Sequence, residues 1–138
     1  MLKFNTSAVR NIFREEVSAY FDKNEDIYDP FSDFEIQGRS KLTHHFDYLM
    51  TLQNKEKKLV RLINNFNQPQ VERTLISWQD THEQRKNKYN ENLKMVALIN
   101  DNEKKLSEEY TEALLEYGIE PIRFSDKQHV KKSLSLIE

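Results

Sequence analysis

Cysteine is absent from the 138 residues, which excludes disulfides, zinc–thiolate centres and thiol nucleophiles. Glycine is nearly absent: two residues cannot build a P-loop or a glycine-rich dinucleotide loop. No apolar run approaches the roughly 20 residues of a membrane-spanning helix, and the N-terminus lacks the apolar core of a secretion signal. No membrane association and a cytoplasmic location are therefore expected. A dominant charge is missing as well. The 21 basic and 23 acidic side chains leave a formal net charge of −2, which argues against a strongly basic nucleic-acid binder while allowing a local basic patch.

Hydrophobic residues make up 37% of the chain and charged ones 32%, a polar composition that still folds, and the length suits a single domain over 1–138. Val9, Ile12, Phe13, Val17 and Tyr20 fall at helical spacing and predict an amphipathic helix over 6–22, capped by Thr6 or Ser7. Asp29-Pro30 breaks the chain before a first strand at Phe34-Glu35-Ile36, and Gly38 stands where a turn or bulge is wanted. His44 to Met50 is a second strand. A third over 58–66 puts Leu59, Arg61, Ile63 and Asn65 on one face and Val60, Leu62 and Asn64 on the other. Three successive strands on short connections make an antiparallel meander.

Pro69 opens a long helix over 70–88, with Val71, Leu75, Trp78 and His82 as its inward stripe. The unbroken apolar run Lys94-Met95-Val96-Ala97-Leu98-Ile99 fits a strand buried on both faces. Asn100 and Asp101 lie just past its carboxyl end, where open α/β sheets place ligands. Leu106, Tyr110, Ala113, Leu114 and Tyr117 form the next amphipathic helix, stopped by Gly118. A short edge strand over 119–124 contains Pro121, and Ser125 with Gln128 forms a capping box for a last helix with Val130, Leu134 and Ile137 inward. The fold class is α/β (α+β): a restriction-endonuclease-like α-β-β-β-α-β core with two further C-terminal helices and a short edge strand.

Several of these stretches occur together, in order, in one known family. They are Phe13-Arg14-Glu15-Glu16-Val17, Gly38-Arg39-Ser40, His45-Phe46-Asp47, Trp78-Gln79-Asp80-Thr81 with Arg85, Leu98-Ile99-Asn100-Asp101, and Tyr117 to Ser125. The chain resembles the bacterial and phage domain of unknown function 1829, the C-terminal part of proteins that usually begin with domain 1828. Lys41 and Phe124 stand where that family would place glycine and tryptophan. The family brings no established activity. The resemblance implies a nuclease-like scaffold in a bacterial host cell, in a phage, mobile-element, defence or counter-defence setting.

Asp47 is the focus of the chemistry, because a carboxylate inside an apolar strand needs a partner, a metal or water. A nuclease of the PD-(D/E)XK type would need Asp47 plus an acid and a lysine two apart on the next strand, where two acids hold Mg²⁺ and lysine helps activate water. The third strand instead reads Val60-Arg61-Leu62-Ile63-Asn64-Asn65. Glu15 or Glu16 would have to supply a missing acid; otherwise both are solvated helix residues. The favoured reading is a satisfied structural polar cluster, with a bound anion in the same arginine pocket as the alternative, and the candidate binding residues are Arg39, Ser40, Asp47, Arg61, Asp80, Arg85 and Asp101. In that cluster Asp47 accepts from Arg39 or Arg61, and Asp80 pairs with Arg85 or Arg73.

His44 and His45 point to opposite faces of a strand, so they do not grip one ion. Ser40, His45 and Asp47 have the residue types of a nucleophilic triad but no nucleophile elbow. The runs at Lys55–Lys58 and Arg85–Lys88 read as solvated faces that would make a basic strip if they shared one side. The expectation is a non-catalytic module without a cofactor, binding a defence-system protein or nucleic acid. Mg²⁺ enters only with the nuclease alternative.

Overall fold

The structure is a computed structural model that describes residues 6–89, 93–102 and 104–137, with the side chains at 6–11 and 54 outside the description. Helix α1 spans Thr6–Lys23. Its buried residues are Phe13, Val17 and Phe21, one full set of i, i+4, i+8 positions, while Ile12 is 56% exposed and faces outward, against expectation. The proposed cap at Thr6 or Ser7 and the placement of Val9 lie outside the described residues.

Strand β1 (Asp29–Gln37) begins earlier than Asp29-Pro30 suggests. It is one edge of the sheet, where a proline without an N–H is tolerated. Strand β2 (Thr43–Thr51) returns antiparallel to it, a 3₁₀ turn follows at Gln53–Lys55, and β3 (Lys57–Ile63) completes the meander. Strand β3 stops at Ile63, so Asn64 and Asn65 are not strand residues as expected.

The single helix expected over 70–88 is two. Helix α2 (Gln68–Asp80) is capped by Asn67, whose side chain accepts from the Gln70 N–H, with Pro69 in its first turn. The chain then bends at Thr81 into α3 (His82–Lys88). The Thr81 hydroxyl donates back to the carbonyls of Ser77 (2.7 Å) and Trp78 (3.2 Å). Inward positions of α2 are Val71, Thr74 and Ser77, and His82 is exposed.

Strand β4 (Lys94–Ile99), helix α4 (Glu108–Glu116), strand β5 (Ile119–Arg123) and helix α5 (Lys127–Leu134) complete the chain. Gly118 takes φ +76 after α4, the left-handed stop that a side chain resists. Helix α5 is capped by Asp126, which accepts from the His129 N–H, so the capping box expected from Ser125 does not form. Ile137 is exposed.

The five-stranded sheet runs β1-β2-β3-β4-β5, with β1 to β3 antiparallel and β3 to β5 parallel. Two cores sandwich it. Phe13, Val17 and Phe21 of α1 and Val130 and Leu134 of α5 pack on Tyr48, Met50, Val60, Val96, Leu98 and Ile122. On the other face Val71 of α2 and Leu114 of α4 pack on Phe46, Leu59, Ile63, Met95, Ala97 and Ile99. Strand β4 feeds both layers alternately, which is why its sequence is apolar without a break. Over the described residues the result is an α/β fold of five α-helices and a mixed five-stranded sheet. Among the described residues no helix is long and apolar enough to cross a membrane.

Candidate functional site

Along β2, Phe46 and Leu49 pack into one core while Tyr48 and Met50 pack into the other. Alternation therefore slips by one residue at Asp47. Its register mate Asp33 on β1 is left out of the ladder and sits at φ +59. A left-handed aspartate costs about 1 kcal/mol or more, and such irregularities re-aim side chains within a sheet.

What they aim is Asp47. Its Oδ2 accepts from the backbone N–H of Leu62 on β3 at 2.8 Å, and its Oδ1 accepts from Arg14 of α1 at 3.2 Å. Arg14 also donates to Asp33 at 2.6 Å, and His45 donates to the same Asp33 oxygen at 2.9 Å. These two bonds, led by His45, hold the Asp33 pKa below its ordinary value. Burial works against the Arg14 charge, but Asp33 and Asp47 outweigh it and raise its pKa. Beside them Tyr48 shares a hydrogen bond with Ser18, and burial pushes the phenol's pKa up.

The partner of Asp47 thus comes from helix α1. Arg39 lies exposed in the β1–β2 turn, its backbone N–H donating to the Asp80 carbonyl at 2.8 Å, and Arg61 donates to Ser77 Oγ at 2.7 Å. Glu15 and Glu16 are exposed on α1.

The donor set at Asp47 does not fit a divalent cation. One oxygen faces a guanidinium, the other a backbone N–H, and among the described residues no group of three or more His, Asp or Glu gathers to hold a metal. Both carboxylate oxygens are committed to donors that a Mg²⁺ ion would have to displace.

A second cluster forms where the β1–β2 turn meets the end of α2. Asp80 accepts from the Ser40 N–H (3.0 Å), the Ser40 hydroxyl (2.6 Å) and His44 Nε2 (2.7 Å). Led by the Ser40 hydroxyl, these bonds lower its pKa to about 2. His44 Nδ1 meets Ser77 Oγ at 3.1 Å, so the relay runs Ser40–Asp80–His44–Ser77–Arg61. Ser77 is buried, with its hydroxyl between His44 and Arg61. A side chain on Gly38 would meet Asp80 Oδ2 at 2.0 Å. The glycine serves close approach, not a left-handed turn. Lys41 takes that role at φ +77, at a position where the family pattern expects glycine.

The pairing of Arg85 with Asp80 expected from the sequence does not form. Arg85 is buried with its guanidinium 3.3 Å from the Trp78 ring centroid, donating to Thr81 Oγ1 (3.1 Å) and to the Trp78 carbonyl (2.6 Å). Burial lowers its pKa to about 10. The run beginning at Arg85 is therefore not wholly a solvated face.

The third cluster repeats the Ser–Asp clamp. Asp101, past β4, accepts the Ser125 N–H at 3.1 Å and the Ser125 hydroxyl at 2.5 Å. Beside it Asn100 donates to Asn64 at 2.8 Å. Lys127 lies over the Phe124 ring at 3.2 Å, where burial lowers its pKa against the opposing pull of Asp101 and Glu16.

Most of these residues fall within one recognisable segment. Residues 38–127 match the family described as Domain of unknown function DUF1829. The chain belongs to the DUF1829 family. Both Ser–Asp clamps, Asp47 and the Arg85–Trp78 stack lie inside the DUF1829 segment, whereas Arg14 and Asp33 precede it. No curated protein matches the chain. Among solved structures it is similar to one described as Crystal Structure of Protein of Unknown Function AF1548, at 14% identity and a TM-score of 0.57. That likeness covers 82% of this chain and 57% of the other, little more than half of its length, and concerns the fold alone.

Sequence reasoning singles out Ser40, Asp80, Arg85 and Asp101 but not their partners. It misses Arg14, Asp33 and His44 as site residues. The one available signal is Asp33, which breaks the alternation of β1 opposite Asp47.

Proposed function

We propose that this chain is a binding domain without hydrolytic chemistry, built on a restriction-endonuclease-like scaffold, whose partner is nucleic acid in a phage or mobile-element defence or counter-defence setting. The scaffold reading draws support from the antiparallel β1–β2–β3 meander continued by parallel β4, with α1 against the meander and α2 between β3 and β4. One observation carries the functional reading: the strand carboxylate that a nuclease would give to a metal is held by Arg14 and the Leu62 N–H. An arginine there repels a cation and ties the acid to helix α1. Nucleic acid is favoured as partner because lysines gather at one end of the sheet, where Lys57, Lys58, Lys94 and Lys132 line a common pocket.

The test is a gel shift with duplex and single-stranded DNA and RNA over a salt series. Binding is expected to weaken steeply with salt and to survive Asp47→Asn. Capture of a protein partner with no nucleic-acid shift at low salt would replace this reading with a protein-binding one.

A further inference from the structure

The end of the sheet where β3 and β4 begin, opposite to Asp47, holds a pocket of about 300 Å³. Among the described residues four lysines line it, Lys57, Lys58, Lys94 and Lys132, with one acidic residue, Glu56. Lys58 and Lys94 are register partners in the parallel β3–β4 ladder, so their side chains rise on the same face. Like charges set side by side across a ladder oppose folding unless something neutralises them.

Part of that charge is answered from within. Lys58 donates to Ser133 Oγ at 2.9 Å and reaches Glu120 at 3.5 Å. Burial would raise the Glu120 pKa, but Ser133, His129 and Lys58 together hold it below its ordinary value, so it stays an anion. Among the described residues the Lys57 ammonium donates to a neutral hydroxyl alone, that of Thr51 at 3.1 Å. Among the described residues the side chains of Lys94 and Lys132 make neither a hydrogen bond nor an ion pair. Lys132 sits in the last turn of α5 and offsets the negative end of that helix, a role Lys94 does not share.

We propose that this pocket binds a phosphate-bearing group of two or more negative charges. The shared chemistry is that of a terminal phosphate on nucleic acid or the polyphosphate tail of a free nucleotide. Ammonium groups act as compact, strongly hydrated point charges and suit tetrahedral phosphate oxygens. The volume lies at the small end of ligand pockets, enough for a pyrophosphate-sized group with the remainder of the ligand outside. The proposal deepens the nucleic-acid reading, which rests on the same lysines, and parts from it in one respect: a free polyphosphate would fill the pocket whether or not the domain binds nucleic acid.

Isothermal titration at low salt tests it with sodium pyrophosphate, ATP, and one single-stranded oligonucleotide carrying either a 5′-phosphate or a 5′-hydroxyl. The proteins are the full chain, the exposed-site double variant Lys94→Gln/Lys132→Gln, and Lys86→Gln on α3 as a control. One saturable site for pyrophosphate is expected, weakened about tenfold or more in the double variant and unchanged in the control. A tenfold preference for the 5′-phosphorylated oligonucleotide assigns the site to nucleic-acid ends. Tight ATP binding without that preference assigns it to free polyphosphates. No saturable binding of any phosphate probe at millimolar concentration, or equal binding by the double variant, overturns the proposal.

Discussion

Replacing Arg14 with methionine removes the guanidinium while keeping an apolar stem of similar length. The pair it breaks is neither fully buried nor free in water: the Arg14 side chain is 32% exposed and that of Asp47 17%. Exposed ion pairs contribute about 0–1 kcal/mol, whereas hydrogen bonds to buried charges contribute about 1.5–3 kcal/mol. The second bond, to Asp33, adds little because that carboxylate is 60% exposed. A loss of about 1.5 kcal/mol is expected for Arg14→Met, most of it from Asp47 left with one N–H donor.

Asp47→Asn keeps an oxygen for the Leu62 N–H but turns its amide NH2, a donor, toward the Arg14 guanidinium, so the Arg14 bond is lost with the charge and about 1 kcal/mol is expected. The double variant should then cost less than the sum, with a coupling of about 1 kcal/mol. Urea unfolding followed by circular dichroism measures this. At an m-value of about 2 kcal/mol/M the single Arg14 variant should move the midpoint down by about 0.7 M. A coupling below about 0.3 kcal/mol would refute the reasoning, because Asp47 and Arg14 would then not be bonded in solution.

Lys41→Gly relieves a left-handed lysine at φ +77. Strain relief of about 1–2 kcal/mol, less the added freedom of the unfolded chain, should stabilise by about 0.5–1 kcal/mol and raise Tm by about 2–4 °C in calorimetry. Gly38→Ala places a methyl against the Asp80 carboxylate and carbonyl, at 2.0 and 3.0 Å. It should destabilise by about 2 kcal/mol in urea unfolding, and by less when Asp80→Ala is already present. Acid unfolding gives a sign test. Asp80 is held at about 2, below its ordinary 3.8, so its contribution is complete above about pH 4 and is lost as pH falls through 2. The native chain should lose more stability between pH 4 and pH 2 than the Asp80→Asn variant, and equal losses would remove Asp80 as a folded-state anion partner.

Strand β4 is legible to the residue because an unbroken apolar run flanked by polar ends leaves one choice, and its neighbours follow from period and glycine. The break at Thr81 carries no glycine or proline. It depends on a hydroxyl turning back onto two carbonyls, which residue spacing does not encode. The inward face of α1 departs from expectation at Ile12 because Phe21, one turn past Val17 and next to Tyr20 of the expected stripe, completes the buried face instead.

At the site, residue types are visible in the sequence and geometry is not. Asp47 announces a need for a partner, yet the guanidinium that meets it lies 33 positions earlier, on a helix whose path over the meander no local pattern fixes. The same holds for Ser40 with Asp80, joined across 40 positions by the tightness of Gly38.

A cleavage measurement tests the silence of Asp47 most directly. Supercoiled plasmid and short duplexes would be incubated with the purified chain in Mg²⁺ or Mn²⁺, beside Asp47→Asn. Intact substrate is predicted in every lane, with the same retarded complex for both proteins. Divalent-ion-dependent nicking by the native chain that vanishes in Asp47→Asn would contradict a binding domain without hydrolytic chemistry.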